Sequence, residues 1–328
     1  MTRTDRWAIG VDLGATKIDV AQVEEGGLLR YRLRRLTPIN EGPAAIEAEI
    51  VAAVRDLLKI AGSSPVGMGV GVAGQIDPNH GVVCFAPNLG WRNVPIQADL
   101  SQALELPVVV TNDVRAATWG EWFYGAGKGC NDLICLFLGT GIGGGVVSGG
   151  QILSGYKNTA GELGHITIDL NGPPCRCGNR GCLEALAGGW AIARMAQEAI
   201  SNNPSAGAYL LKMAGGQKEA VSAKIVIQSA QAGDPLSIHI VNEMVRALIA
   251  GAVSLVNAFN PCRLILGGGV IEGMPELVKQ IDQGVHQQAL AAATSSLQVL
   301  PAQLHADAGV VGAATLAMYS FANKGGQY

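Results

Sequence analysis

The chain has 328 residues, 48% of them hydrophobic and 15% charged, with a net charge of −3 and a pI near 6.0. That length allows two domains or one large one with a sizeable core. The charge balance excludes the clustered basic footprint of a nucleic-acid binder, and seven cysteines with no charged and apolar leader point to a reducing cytoplasm.

The chain opens on an apolar run, Trp7 to Val11, followed by a polar turn from Asp12 to Lys17 and a second run from Ile18 to Val23. Gly26-Gly27 makes a tight turn before a third strand, Leu28 to Leu36. Within it, Arg30 to Arg35 alternates with Tyr31 and Leu33 as a solvated strand face does. Pro43 to Ala61 then carries Ile46, Ile50, Val54, Leu57 and Leu58 at helical spacing. Val66 to Val72 and Pro107 to Thr111 read as buried strands, and strand–helix–strand order adds them in parallel to the opening meander.

Thr111-Asn112-Asp113 closes the last of these strands and precedes an apolar helix beginning near Val114. A carboxylate there sits where open α/β sheets place their ligands, and Asp113 is the best-placed base for an acceptor hydroxyl. The same position suits a plain helix N-cap, so two readings stand.

From Leu133 to Tyr156 no residue is charged, which is long enough to span a bilayer as a helix. Eight of those residues are glycine, so strand and turn is the better reading. The order is strand Leu133 to Leu138, turn Gly139-Thr140-Gly141, strand Gly143 to Val147, turn Gly149-Gly150, then Gln151 to Leu153. It repeats the plan of Ile9 to Leu29 about 125 residues on, which implies a duplicated domain with two polar tips facing across a cleft.

Gly139 to Gly144 and Gly69 to Gly74 both fit G-x-G-x-x-G by letter. Neither precedes a helix, Gln75 to Pro78 being read as a turn, so a pyrophosphate would lack the helix N-terminus that gives the motif its physics. Gly127-Lys128 is no P-loop, because Trp122 stands at the first glycine position. The two tips remain. Glycine lets phosphate approach the main chain, Thr16 and Thr140 offer hydroxyls, and Asp12 can hold Mg²⁺ directly or through water. A nucleoside triphosphate explains them; ordinary hairpin turns are the competing account.

Gly161 to Glu184 places His165 ten residues before Cys175, with Cys177 and Cys182 completing a C-x-C-x4-C cluster. Thiolate sulfur and imidazole nitrogen suit tetrahedral zinc in a closed, structural site. Buried free cysteines are the alternative, but the loop is polar and broken by Pro173, Pro174, Gly178 and Gly181. Beyond it, Leu183 to Ile200 and Leu236 to Asn260 read as helices, the second long, apolar and stopped by Pro261. Arg263 to Leu266 is a strand running into Gly267-Gly268-Gly269, Pro275 to Leu290 and Ala308 to Phe321 are helices, and 324–328 is a frayed tail.

These motifs together resemble the sugar kinases of the repressor, open reading frame, kinase (ROK) family, within the actin-like ATPase superfamily. Asp12-Leu13-Gly14-Ala15-Thr16-Lys17 resembles the first phosphate loop, Asn112-Asp113 the catalytic pair and Leu138 to Gly145 the second phosphate loop. Gly161 to His165 and Cys175 to Glu184 resemble the sugar and zinc signatures, and Gly267-Gly268-Gly269 the nucleotide-base turn. Ala15 departs from the glycine the family commonly has, with a modest effect expected on the loop.

The resemblance implies an α/β fold of two duplicated actin-like ATPase (ribonuclease H-like) domains with a cleft between them. The lobes would span 1–115, completed by a C-terminal helix at 308–322, and 116–307 with the zinc loop. Asp113 would be the general base on a hexose 6-hydroxyl, with Asn88, Asn112, Glu162, His165 and Glu184 on the sugar. Asp12, Gly14, Thr16, Lys17, Thr140, Gly141, Gly268 and Gly269 would hold ATP and its Mg²⁺, and His165, Cys175, Cys177 and Cys182 a structural Zn²⁺. The implied enzyme is an ATP-dependent hexose kinase acting on glucose first, as a cytoplasmic homodimer or homotetramer binding neither nucleic acid nor membrane. Kinases of N-acetylmannosamine, N-acetylglucosamine or fructose are alternatives, as is a non-catalytic sugar-sensing regulator. A first strand beginning at Trp7 leaves no room for the helix-turn-helix of a repressor.

Overall fold

The computed structural model describes residues 6–322; the expected tail at 324–328 lies outside them. The chain divides into two compact units. The first runs through Gly129 and adds Ile152–Ala160 and everything from Gln303; the second is Cys130–Gln151 with Gly161–Ala302. The division expected at 115 and 307 therefore moves to 129 and 302, because the helix after Asp113 packs with the first unit.

In the first unit β1 (Trp7–Leu13), β2 (Lys17–Glu24) and β3 (Leu29–Leu36) form the expected meander. The helix α1 (Pro43–Ala61) has the predicted bounds; it starts with Pro43 in its first turn and ends at Gly62 in the left-handed region. Its stripe of Ile46, Ile50, Val54 and Leu57 is fully buried. β4 (Met68–Val72) follows and pairs in parallel with β1.

A small three-stranded sheet comes next, of β5 (Gln75–Asp77), β6 (Val82–Ala86) and β7 (Trp91–Val94). This corrects the turn expected at 75–78: Gln75 to Asp77 pairs antiparallel with β6, and the turn falls after it. Then α2 (Ile96–Leu104) leads to β8 (Val108–Asn112), parallel to β4, and α3 (Asp113–Tyr124). The main sheet order is β3-β2-β1-β4-β8.

The second unit repeats that order. β9 (Leu133–Leu138), β10 (Ile142–Ser148) and β11 (Gln151–Ile152) give the hairpin plan again. The expected helix over 183–200 is two: α4 (Leu183–Ala187) and α5 (Gly189–Asn202), separated where Gly188 turns extended. α5 starts on a glycine because a methyl on Gly189 would lie 2.6 Å from the Gly139 carbonyl oxygen. α6 (Ala208–Met213) and α7 (Ala223–Gln231) precede α8 (Pro235–Phe259). α8 is long and apolar enough to cross a membrane, but Ile240, Met244, Leu248, Leu255 and Val256 bury one side of it in the core of this unit. β12 (Arg263–Gly267), α9 (Gly269–Gly273), α10 (Glu276–Gln288), α11 (Ala291–Thr294) and β13 (Gln298–Pro301) finish the unit. Its sheet order is β11-β10-β9-β12-β13, with β9, β12 and β13 parallel, so the duplication read from the glycine turns is present in the topology. Cys130 and Cys262, just before the paired strands β9 and β12, lie side by side with their Cα atoms 6.8 Å apart.

The chain returns to the first unit as α12 (Ala308–Ala322), laid on β1 and β4 at backbone distance. A methyl on Gly69 would lie 1.8 Å from the Ala313 carbonyl oxygen, and one on Gly312 1.6 Å from that of Ala116 in α3. Glycine at both positions lets two helices and a sheet close without a side chain between them. At the end of α3, buried Glu121 accepts hydrogen bonds from Ala126 N (2.9 Å), Gln303 N (3.1 Å) and Leu304 N (2.7 Å).

Candidate active site

In the first unit the β1–β2 turn is closed by Gly14 N donating to the Lys17 carbonyl (3.0 Å) and by the Thr37 hydroxyl donating to the Gly14 carbonyl (2.7 Å). Ala15 packs against the core, so its methyl is accommodated. Lys17, expected on phosphate, is held by buried Asp19 at 3.1 Å. Asp19 also takes Arg32 and Arg34 at 2.9 and 2.7 Å. Burial would raise its carboxyl, but hydrogen bonds from Arg34, Arg32 and Lys17 outweigh that and hold it well below the usual carboxylate range.

Asp12 behaves oppositely. Burial first, then the charges of Asp113 and Asp19, push it up to about 6 against the pull of Lys17 and Arg32. Asp12 and Asp113 thus face each other closely enough to repel, an arrangement a divalent cation would relieve. Asp113 is the first residue of α3. The N-cap is its neighbour Asn112, whose side-chain oxygen accepts from Arg115 N at 3.1 Å and whose amide donates to the Gly74 carbonyl at 3.3 Å. Capping is therefore Asn112's role. Asn88 is exposed on the helical turn Pro87–Leu89.

In the second unit the tip Gly139-Thr140-Gly141 is docked on the start of α5: Gly189 N and Trp190 N donate to the carbonyls of Gly139 (3.1 Å) and Thr140 (2.9 Å). Thr140 is exposed. Glu184 reaches the tip from α4, accepting from Ile142 N at 2.9 Å and from the Trp190 indole N–H at 3.1 Å. A methyl at Gly141 would lie 2.3 Å from that carboxylate. Gly268, at φ 90°, passes so close to Leu138 that a methyl would meet its carbonyl oxygen at 2.4 Å. Gly139, Thr140 and Gly269 line one cavity of about 710 Å³, completed by Trp190 of α5 and by Lys224 and Gln228 of α7. Reading the sequence missed these last three. The available signal was Ser222, whose side chain caps α7 by accepting from Ile225 N.

His165, Cys175, Cys177 and Cys182 converge as expected, with one donor atom from each within 4.8 Å of the others. His165 Nδ1 is 3.6 Å from Cys175 Sγ, and the sulfurs of Cys177 and Cys182 are 3.7 Å apart. A tight hairpin, with Gly178 and Gly181 at positive φ, brings them there. Burial and the neighbouring sulfurs push the Cys182 thiol up to about 12, whereas the Asn179 backbone lowers that of exposed Cys177. Three sulfurs and an imidazole nitrogen gathered this closely fit a divalent metal, which would deprotonate the thiols. Glu162 is exposed at the turn before His165.

Two sheets of one order, each with a glycine-bearing hairpin tip, define an actin-like ATPase fold. Residues 8–319 match the ROK family model, and the chain belongs to that family. It is 36% identical over 313 residues to the glucokinase of Halalkalibacterium halodurans, covering 94% of each chain. Against the glucokinase of Streptomyces coelicolor it is 35% identical over 310 residues, covering 94% of this chain and 96% of that one. Among solved structures, a ROK family glucokinase from Streptomyces griseus in complex with glucose and AMPPNP superposes with a TM-score of 0.81 at 37% identity, over 95% of this chain and 99% of that one.

Proposed function

We propose that this protein is an ATP-dependent hexose kinase that phosphorylates the 6-hydroxyl of glucose. The observation that carries the reading is its likeness, over nearly the whole chain, to a glucokinase whose complex holds glucose and AMPPNP. Asp113, both glycine tips and the Cys/His cluster are all present in this chain. As the sugar oxygen bonds to the γ-phosphorus and the bond to the β–γ bridging oxygen breaks, Asp113 takes the hydroxyl proton and ADP leaves. Asn88, Asn112, Glu162, His165 and Glu184 hold sugar hydroxyls. Gly14, Thr16 and Lys17 with Thr140 and Gly141 hold phosphates, and Gly268 and Gly269 the adenosine. Mg²⁺, held by Asp12, supplies charge neutralisation on the phosphates. Zn²⁺ on His165, Cys175, Cys177 and Cys182 fixes the loop and takes no part in the transfer. The working form is a cytoplasmic homodimer or homotetramer.

The test is ADP release over a panel of glucose, fructose, N-acetylmannosamine and N-acetylglucosamine, with polyphosphate tried beside ATP. Glucose is expected to be the preferred acceptor, and Asp113→Asn to lose about 10³-fold in turnover while still binding glucose. Another preferred sugar would reassign the substrate. If no sugar stimulates release the kinase reading fails, and parent-like turnover by Asp113→Asn removes Asp113 as the base.

A further inference from the structure

Trp190 is unlike the other four tryptophans, Trp7, Trp91, Trp119 and Trp122, which all belong to the first unit. It is the second residue of α5, and its backbone N–H is committed to the Thr140 carbonyl. Its indole N–H donates to Glu184 Oε1 at 3.1 Å, while Glu184 Oε2 accepts from Ile142 N at 2.9 Å. The Arg176 guanidinium, from the cysteine hairpin, stands 4.6 Å from the ring centroid, and that of Arg194 5.9 Å. The same side chain lines the cavity of about 710 Å³ that Thr140 and Gly269 also line.

One rigid side chain therefore joins a proposed sugar ligand to a proposed nucleotide wall. Glu184 alone has three rotatable side-chain bonds. With one donor on each oxygen its carboxylate has a single orientation, and about two lone-pair positions stay open for hydroxyls. The indole is held in turn by its N–H and by the cations near its ring, which keeps it from swinging into the cavity. We propose that Trp190 is a positioning residue: it aims Glu184 at the sugar and, through the same hydrogen bond, sets the wall against which the nucleotide packs. This rests on the kinase reading. A sugar hydroxyl on Glu184 changes the charge that the indole N–H faces, so sugar occupancy is felt in the nucleotide cavity, and by linkage nucleotide occupancy is felt at the sugar.

The experiment uses full-length protein and its Trp190→Phe variant, which keeps an aromatic ring and removes the N–H; Trp190→Tyr serves if the first fails to fold. Steady-state kinetics are run with glucose and ATP, glucose is titrated by tryptophan fluorescence, and ADP binding is measured by calorimetry with and without glucose. Trp190→Phe is expected to raise the KM for glucose roughly tenfold, the scale of one hydrogen bond to a charged group, with kcat within about twofold. It is also expected to lose the glucose-induced fluorescence change and the effect of glucose on ADP affinity. A purely structural tryptophan would lower thermal stability while leaving the KM and the glucose–ADP coupling at parent values, and that result overturns the proposal. Should the parent neither bind nor phosphorylate any hexose, the kinase reading fails first; a parent that turns over glucose beside an unaltered Trp190→Phe refutes the role of Trp190 alone.

Discussion

Glu121 offers the sharpest test of how the first unit is held together. Its carboxylate is fully buried, has three backbone N–H donors within 3.1 Å, and draws them from two stretches of chain far apart in sequence. Glu121→Ala leaves Ala126 N, Gln303 N and Leu304 N without this acceptor and opens a void where the side chain lay. Hydrogen bonds to a charged group are worth roughly 1.5–3 kcal/mol each, but losses within one network are not additive. The expected cost is about 4 kcal/mol, at the upper end for a single substitution, which lowers the melting temperature by about 10 °C for a unit of this size. Glu121→Gln keeps one carbonyl oxygen but turns an amide donor toward a backbone donor, so about half that loss is expected. The assay is urea unfolding followed by tryptophan fluorescence, since Trp119 lies two residues away and the first unit holds most of the indoles. A Glu121→Ala variant within about 1 kcal/mol of the parent would mean that water or a shifted backbone satisfies those donors, and the reasoning would fail.

Two further outcomes follow from the same physics. Glu47 is pushed up from 4.5 to about 7 by burial and by the charge of Asp99, and its Oε1 is buried without a hydrogen-bond partner. The folded chain then holds a proton that the unfolded chain has lost, so the stability this group allows is full below about pH 4.5 and falls as pH rises through 7. Glu47→Gln should flatten that slope and raise the urea midpoint at pH 8, and unchanged midpoints at pH 5 and pH 8 would refute it. For the cysteine cluster, metal analysis should find about one zinc per chain, and Cys182→Ser should lose it along with thermal stability; a metal-free preparation with the parent's melting temperature and KM would exclude structural zinc.

What was legible in the sequence was whatever repeats at short range. The β1–β2 and β9–β10 hairpins announce themselves by apolar runs around glycine turns, and α1 by an apolar stripe at helical spacing. The small sheet of β5, β6 and β7 was not, because three to five residues give periodicity too little to act on and Pro78 made β5 look like a turn. The split at Gly188 was hidden for another reason: the Gly188-Gly189 pair packs against Gly139 and Gly141, nearly fifty residues earlier. Nothing singles out Trp190 within the helix read over Leu183 to Ile200, and its polar end has meaning only once Glu184 is folded beside it. Glu121 is the exception that could have been noticed, an acid inside the apolar run Ala116 to Tyr124.

The two units share a strand order and a tip position, yet the electrostatics of the tips have diverged. The first carries its own acid: Asp12, next to last in β1, pairs with Asp19 of β2, and burial with two neighbouring carboxylates pushes its carboxyl up. The second tip has no acidic side chain, and its carboxylate arrives from Glu184, more than forty residues on, clamped by Ile142 N and Trp190. Phosphoryl transfer needs carboxylates to gather cations and accept a proton, and amides and hydroxyls to meet phosphate oxygens. Asp12 and Asp113 concentrate negative charge in the first unit, where Lys17 lies beside them, while Gly139, Thr140 and Gly141 leave the second tip neutral. Glu184 has one N–H donor on each carboxylate oxygen before any ligand arrives, so in the proposed kinase it would orient hydroxyls with part of its charge already satisfied.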